Sequence, residues 1–372
     1  MIIGALKEVG KEKRCALTPE IVVKLLKMGV GSIVVEQGLG LASGLTDAMY
    51  VAAGASLADA VRVASSSDIL LSINTPSVEL IAAQKVSSIS ICAMNPFFNS
   101  AAIAAYVSGK ITAFALELVP RSTRGQAMDI MSSQATVAGY KAVLTAAQLL
   151  PKFFPMFMTA AGSIKPAKVL VLGAGVAGLQ SIATARKLGA VVEAFDVRSA
   201  VKEEVVSLGA KFVEVAGATE DKAAGGYAVE QSAAYKALQA QAIHEAAIRA
   251  DVIIATAQIP GRTAPILIKK ETVASMQPGS VIIDLAASTG GNVEGVVNDA
   301  TVCIDDVTIV GESNLASTMP GDASKMFSRN IYNLLGLMIS KVGALQLNFE
   351  DDIIKGACVC SDGNIVNDRL KS

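Results

Sequence analysis

The sequence predicts an α/β protein of two domains, each a parallel sheet wound with helices, and three observations carry that prediction. Short apolar runs rich in β-branched residues alternate with amphipathic helical stretches along most of the chain, which is the pattern of βαβ units rather than of hairpins. A length of 372 residues gives room for two cores. Midway along, an apolar strand runs into a helix through glycines at G-x-G-x-x-G spacing, and a second strand ends on an acid.

Taken in order, residues 2–6 are the first expected strand, followed by a loop over 7–17. Thr18-Pro19-Glu20 then opens a helix, with a hydroxyl at the N-cap and proline at N1. Ile21, Val22, Leu25 and Leu26 form its buried stripe. Further strands are expected at 32–36, 68–73, 88–92 and 111–115, with helices between. Gly38, Gly40 and Gly44 come near a phosphate loop, but the last spacing is one residue too long and no acid-tipped strand follows in register, so a turn is expected there. A helical pattern over 126–150 carries Met128, Met131, Val137, Tyr140, Val143 and Leu144. A second, over 322–342, returns the chain. The expected division is therefore discontinuous: residues 1–130 with 316–372 form one domain and 131–315 the other, joined by long helices.

In the second domain, Val169 to Leu172 read as a buried strand. Gly173 permits a tight turn, Gly175 leaves room for a pyrophosphate to approach the backbone, and Gly178 lets the following helix pack closely. Ala174 and Val176 lie between them, at the helix start whose N–H groups face the phosphates. The helix ends at Gly189, and the strand 191–195 stops at Asp196, eighteen residues after Gly178. A carboxylate there accepts hydrogen bonds from the adenosine ribose hydroxyls and repels a 2′-phosphate, so NAD(H) rather than NADP(H) is expected. Arg198 pulls the other way, because an arginine just past the strand could neutralise a 2′-phosphate. More strands are expected at 211–215, 251–255, 280–284 and 308–310, and a loop beside the site over 217–234.

Composition narrows the function. Lys+Arg number 32 against Asp+Glu 33 with no basic cluster, so no nucleic-acid partner is expected. Mean hydropathy is +0.49, yet the most apolar stretch, 143–164, is interrupted by Pro151, Lys152 and Pro155 and fails as a membrane span. The opening MIIGALKEVGKEKR has charges where a signal peptide has its apolar core, so no secretion signal is expected. Five scattered cysteines suit a reduced interior. A single histidine, His244, excludes zinc sites built on several histidines, and no metal is expected.

Arg14 in KEKRCALTPE, the block PRSTRGQAMDIMSSQATVAGYKAV, the VLGAGVAGLQ turn and the DLAASTGGN segment together resemble one family over nearly the whole chain: the NAD(H)-binding domain I, or alpha subunit, of proton-translocating NAD(P)⁺ transhydrogenase. Alanine dehydrogenases are related and share the R-x-A-L-T-P segment and the fold. The departures decide between the two. Where alanine dehydrogenases carry a substrate-binding lysine and a catalytic histidine, this chain has LSINTPS and ICAMNPFFN. Where they place an acid after the DLA-like strand, it has Ala287, Ser288 and Thr289.

The resemblance implies two Rossmann-like domains with NAD(H) in the cleft between them, and hydride transfer from NADH to NADP⁺ held on a separate domain III. Proton translocation would belong to a membrane domain II. It implies that Gln126 holds the nicotinamide carboxamide while Arg121, Asp129 and Ser132 fix the ring. It also implies that Gly226 and Tyr227 belong to a closing loop, and that Val197, Ala255, Gln258, Pro260 and Gly261 help form the nucleotide site. A homodimer is implied, placed in the cytoplasm or on a mitochondrial-type matrix face, peripheral to a membrane complex. Two alternatives stay open: an alanine-dehydrogenase-like enzyme, with Arg14 on a substrate carboxylate, and a non-catalytic NAD-responsive module. Without the resemblance, an Arg121–Asp129 ion pair and a Ser132 bonded within its own helix would be ordinary surface features.

Overall fold

The computed structural model describes residues 1–215, 232–258, 262–340 and 342–371. It divides into two compact units, Met1–Gln134 with Ser317–Ser372 and Ala135–Ala316.

The first unit is built on strands β1 (Ile2–Ala5), β2 (Ser32–Glu36), β3 (Ser56–Ala58), β4 (Ile69–Asn74), β5 (Ile89–Ala93) and β6 (Thr112–Ala115). They lie parallel in the order β3-β2-β1-β4-β5-β6, the doubly wound arrangement with its switch between β1 and β4. Alternation along each strand feeds two faces. Ile3, Val35, Leu71, Ile91 and Phe114 pack on one side with Ile21 and Leu25 of helix Pro19–Lys27 and with Phe327, Ile331 and Leu334 of helix Pro320–Met338. Cys92, Ala113 and Ala115 pack on the other with Ile103 and Tyr106.

The second unit takes in helix Ile130–Leu149 from Ala135 onward and continues with a two-stranded antiparallel hairpin, β7 (Phe157–Thr159) and β8 (Gly162–Ile164), all six residues exposed. Its main sheet contains β9 (Lys168–Leu172), β10 (Val191–Phe195), β11 (Lys211–Phe212), β12 (Val252–Ala255), β13 (Val281–Asp284), β14 (Thr301–Ile304) and β15 (Val307–Val310), in the order β11-β10-β9-β12-β13-β15-β14. All neighbours are parallel except β14 on β15. Val169 and Val171 face the cluster that includes Ile182, Ala185 and Ala146, while Leu170 and Leu172 face Ile243 and Ala247. Burial on both faces is why these strands read as continuous apolar runs. The last strands of the chain, β16 (Cys358–Ser361) and β17 (Asn364–Ile365), return to the first sheet, β16 pairing antiparallel with β6.

Two expectations need correction. Thr18 is the N-cap residue with Pro19 behind it, but its hydroxyl makes no capping bond. The buried Ser328 Oγ takes both the Thr18 N–H at 3.0 Å and its hydroxyl at 3.4 Å. The helical pattern over 126–150 is broken at its start, where residues Gly125–Met128 form a 3-10 turn and the α-helix begins only at Ile130.

Candidate functional site

In the second unit, β9 delivers the chain into the glycine turn. Gly173 has φ +94°, a left-handed value that disfavours any side chain, and its N–H donates to Phe195 O at 2.8 Å. A Cβ on Gly178 would lie 1.8 Å from the Gly173 carbonyl oxygen, so the helix reaches the turn only because that residue is glycine. Gly175 is the extended N-cap of helix Val176–Lys187, and the space its Cβ would take is open. The first bond of the helix runs from Leu179 N–H to Gly175 O at 2.8 Å. The N–H groups before it have no intrahelical partner, which leaves a positive helix end beside an open backbone. This geometry fits a dinucleotide pyrophosphate.

Asp196, at the tip of β10, is tied to that turn. Its Oδ2 accepts the Ala174 N–H at 2.8 Å and Arg198 Nη2 at 2.8 Å. Its Oδ1 accepts the Arg198 N–H and Nε, both at 2.9 Å. The carboxylate beside it raises the Arg198 pKa above its usual value, chiefly through this hydrogen bonding. Val197, partly buried, packs against the apolar cluster behind the strand.

Ala255, fully buried, ends β12 beside the turn. Thr256 follows, its hydroxyl donating toward Gly173 O at 3.0 Å, and Gln258 Nε2 donates to Leu285 O at 2.8 Å. Behind them lies a buried polar pair, Asp284 and Asn292, the two ends of the DLAASTGGN segment, to which the sequence reading assigns no role. Asp284, at the end of β13, accepts the N–H groups of Ala286, Asn292 and Val293 at 2.7 to 3.0 Å. Burial raises its pKa, and those three N–H groups work against the rise. Asn292 Oδ1 accepts Ala257 N–H, and its Nδ2 donates to Ala257 O and Pro265 O. The pair therefore holds the chain after β12 against the chain after β13. The signal available in sequence is an acid ending a wholly apolar strand, ahead of small residues and a glycine pair.

Gly139 lies in the block 120–143, where the sequence reading assigns it no packing role. A Cβ there would meet Ala177 O at 2.2 Å, and Ser181 Oγ lies 3.0 Å from Gly139 O. Helix Ile130–Leu149 thus packs against the start of the dinucleotide-type helix at glycine distance. Gly226, Tyr227, Pro260 and Gly261 lie outside the described residues.

Arg121, Gln126, Asp129 and Ser132 belong to the first unit. Arg121 and Gln126 are exposed, Gln126 within the 3-10 turn. Asp129 and Ser132 are bonded to each other, with Asp129 Oδ1 accepting Ser132 N–H at 2.9 Å and Oδ2 accepting its hydroxyl at 2.6 Å. That is a cap on the start of the helix. Arg14 is held by Glu12, whose Oε1 accepts Nε at 2.8 Å and Oε2 accepts Nη2 at 2.7 Å, while Nη1 donates to Gln134 Oε1 at 2.9 Å. At 10% and 4% side-chain exposure this is a buried, neutralised pair, poorly suited to an incoming carboxylate. In the LSINTPS stretch, Asn74 Nδ2 donates to Glu8 Oε2 at 3.0 Å. Among the described residues no group of three or more metal-ligating side chains could hold an ion, and no helix is long and apolar enough to cross a membrane.

Profiles of two families match. "Alanine dehydrogenase/PNT, N-terminal domain" covers residues 4–138 and "Alanine dehydrogenase/PNT, C-terminal domain" covers residues 142–368. The chain is similar to an NAD(P) transhydrogenase subunit alpha protein of Rhodospirillum rubrum, 43% identical with 96% of each protein covered. Among solved structures it is similar to a transhydrogenase from Sinorhizobium meliloti, with 42% identity, a TM-score of 0.90, and 98% of this chain and 100% of that one covered. An L-alanine dehydrogenase shares the fold, with a TM-score of 0.82 at 22% identity over 100% of this chain and 98% of that one.

Proposed function

Because this chain belongs to the alanine dehydrogenase/PNT family, with relatives named as transhydrogenase alpha subunits, we propose that it is the NAD(H)-binding component of a proton-translocating, Re/Si-specific NAD(P)⁺ transhydrogenase. In this reading the second unit holds NADH. Gly173, Ala174, Gly175, Val176 and Gly178 receive the pyrophosphate, Asp196 takes the adenosine ribose at a site flanked by Val197 and Arg198, and Ala255 and Gln258 line the wall. Gln126 holds the carboxamide, while Arg121, Asp129 and Ser132 orient the ring. Gly226 and Tyr227 close over the nucleotide.

The chemistry is a hydride passed from NADH to NADP⁺ held on a partner domain III. Carbon-to-carbon hydride transfer needs placement and exclusion of water more than an acid or base, which suits a chain with one histidine. A membrane domain II couples the transfer to proton movement, and this chain works as a homodimer peripheral to that membrane assembly.

The observation that carries the NAD(H) reading is the glycine turn tied through Ala174 to the acid at the tip of β10. The pairing of Arg14 with Glu12 weighs against a dehydrogenase. Asp196→Asn tests the reading. NADH binding, followed by nucleotide fluorescence, should weaken by about 1.5–3 kcal/mol through loss of charge-assisted bonds, and NADPH binding should change less. Equal wild-type affinity for NADH and NADPH would contradict it, and vigorous pyruvate reduction with ammonia would favour the dehydrogenase instead.

A further inference from the structure

An ionised carboxylate offers about four acceptor positions, and at Asp196 all four are met by donors. Two of these are backbone N–H groups, from Ala174 and Arg198. The other two are guanidinium nitrogens of Arg198, Nε at 2.9 Å on Oδ1 and Nη2 at 2.8 Å on Oδ2. The two side chains differ in exposure, 7% for the acid and 28% for the arginine, so the arginine forms the outer layer over the acid. An adenosine ribose that donates both hydroxyls to this carboxylate needs two of the four positions. The backbone pair belongs to the turn and to the strand end, and yielding it would move the phosphate loop. Only the guanidinium can withdraw.

We infer that Arg198 is an internal competitor for the adenosine ribose, so that nucleotide binding proceeds by displacing its guanidinium from Asp196 and the arginine sets affinity by occupying the site. The inference rests on the NAD(H) reading above and names what regulates that same site. Glu204, in the helix Lys202–Ser207 just beyond, adds a second negative charge acting on Arg198. Pairing with Asp196 also spends the positive charge that a 2′-phosphate would need. One ion pair thus lowers affinity for the preferred nucleotide while withholding a cation from the other. An Arg–carboxylate fork is among the stronger paired arrangements, but its partial exposure discounts it.

The test is a set of titrations on the full chain with NADH, ADP-ribose and NADPH, for wild type, Arg198→Ala, Arg198→Gln and Arg198→Lys. The alanine and glutamine variants should bind NADH roughly three- to tenfold more tightly, a size set by a discounted forked pair. ADP-ribose should gain by the same factor, because the competition lies at the ribose and not at the nicotinamide. Lysine, which keeps the charge without the fork, should fall between them and wild type. Either the alanine or the glutamine variant suffices should the other not fold. Loss of a merely structural ion pair would not raise affinity. If wild type binds NADH and both variants bind it equally well or more weakly, Arg198 is not a competitor and the inference fails alone. A wild type that binds no NADH would overturn the NAD(H) reading itself, and this inference with it.

Discussion

Glu8 sits at the carboxyl end of β1, where its Oε1 accepts Ile73 N–H at 2.6 Å and its Oε2 accepts Asn74 Nδ2 at 3.0 Å. Burial outweighs those bonds and lifts its pKa from 4.5 to about 7. A carboxyl group raised in the folded state gives stability that is fully present below 4.5 and is lost as pH climbs through about 7, because the native protein must then hold a charge the unfolded chain leaves in water. Glu8→Gln keeps an acceptor for Ile73 and removes the charge. Relative to wild type it should therefore gain on the order of 2–3 kcal/mol between pH 5 and pH 8 in urea unfolding. A difference that does not vary with pH would contradict this. At this scale the sequence is informative about which residues matter and much less so about their bonds. The glycine spacing announces the jobs of Gly173, Gly175 and Gly178. That Asp196 is saturated by Arg198, or Arg14 by Glu12, depends on rotamers and burial that no spacing encodes. Asp129 and Ser132 are legible as part of a family block, but not as a cap, because the helical pattern reads on from 126 whereas the helix begins at Ile130.

Among the elements, strands buried on both faces are legible within a residue or two, because a run such as Val169 to Leu172 leaves little else to be. Short elements at sheet edges are not. β3 and β17 have three and two residues, and β16 exists because Cys358 and Cys360 find partners on β6 more than 240 positions earlier. The hairpin β7–β8 lies within the apolar stretch 143–164 that invites a membrane reading, and its prolines mark the turns around it. Helix contacts made through glycine are equally hidden, since an isolated glycine in a helical pattern reads as a mild weakness. Gly139 is the clear case: a branched side chain there has to displace the Ala177 carbonyl at 2.2 Å. Gly139→Val should destabilise the second unit by about 1–3 kcal/mol through overpacking. Calorimetry checks it, and an unchanged melting profile would mean the two helices separate freely.

For the whole molecule, the α/β class and its parallel sheets are predictable from alternation and length. Both sheets repeat the same doubly wound order, and in the second unit the switch between β9 and β12 coincides with the glycine turn, where ligands of open parallel sheets bind. In the first unit the corresponding switch, between β1 and β4, is bridged by Glu8. In the proposed reading the one dinucleotide fingerprint holds one nucleotide, and the acceptor comes from a partner domain. Donor and acceptor carbons must approach within roughly 3–3.5 Å, which free NADP⁺ meeting a lone NADH site does not achieve. The most direct measurement is single-turnover hydride transfer from NADH on this chain to NADP⁺ bound to a soluble transhydrogenase domain III. The account predicts negligible transfer by the chain alone and rapid transfer in the mixture. A stable complex of the two that transfers no hydride would contradict it.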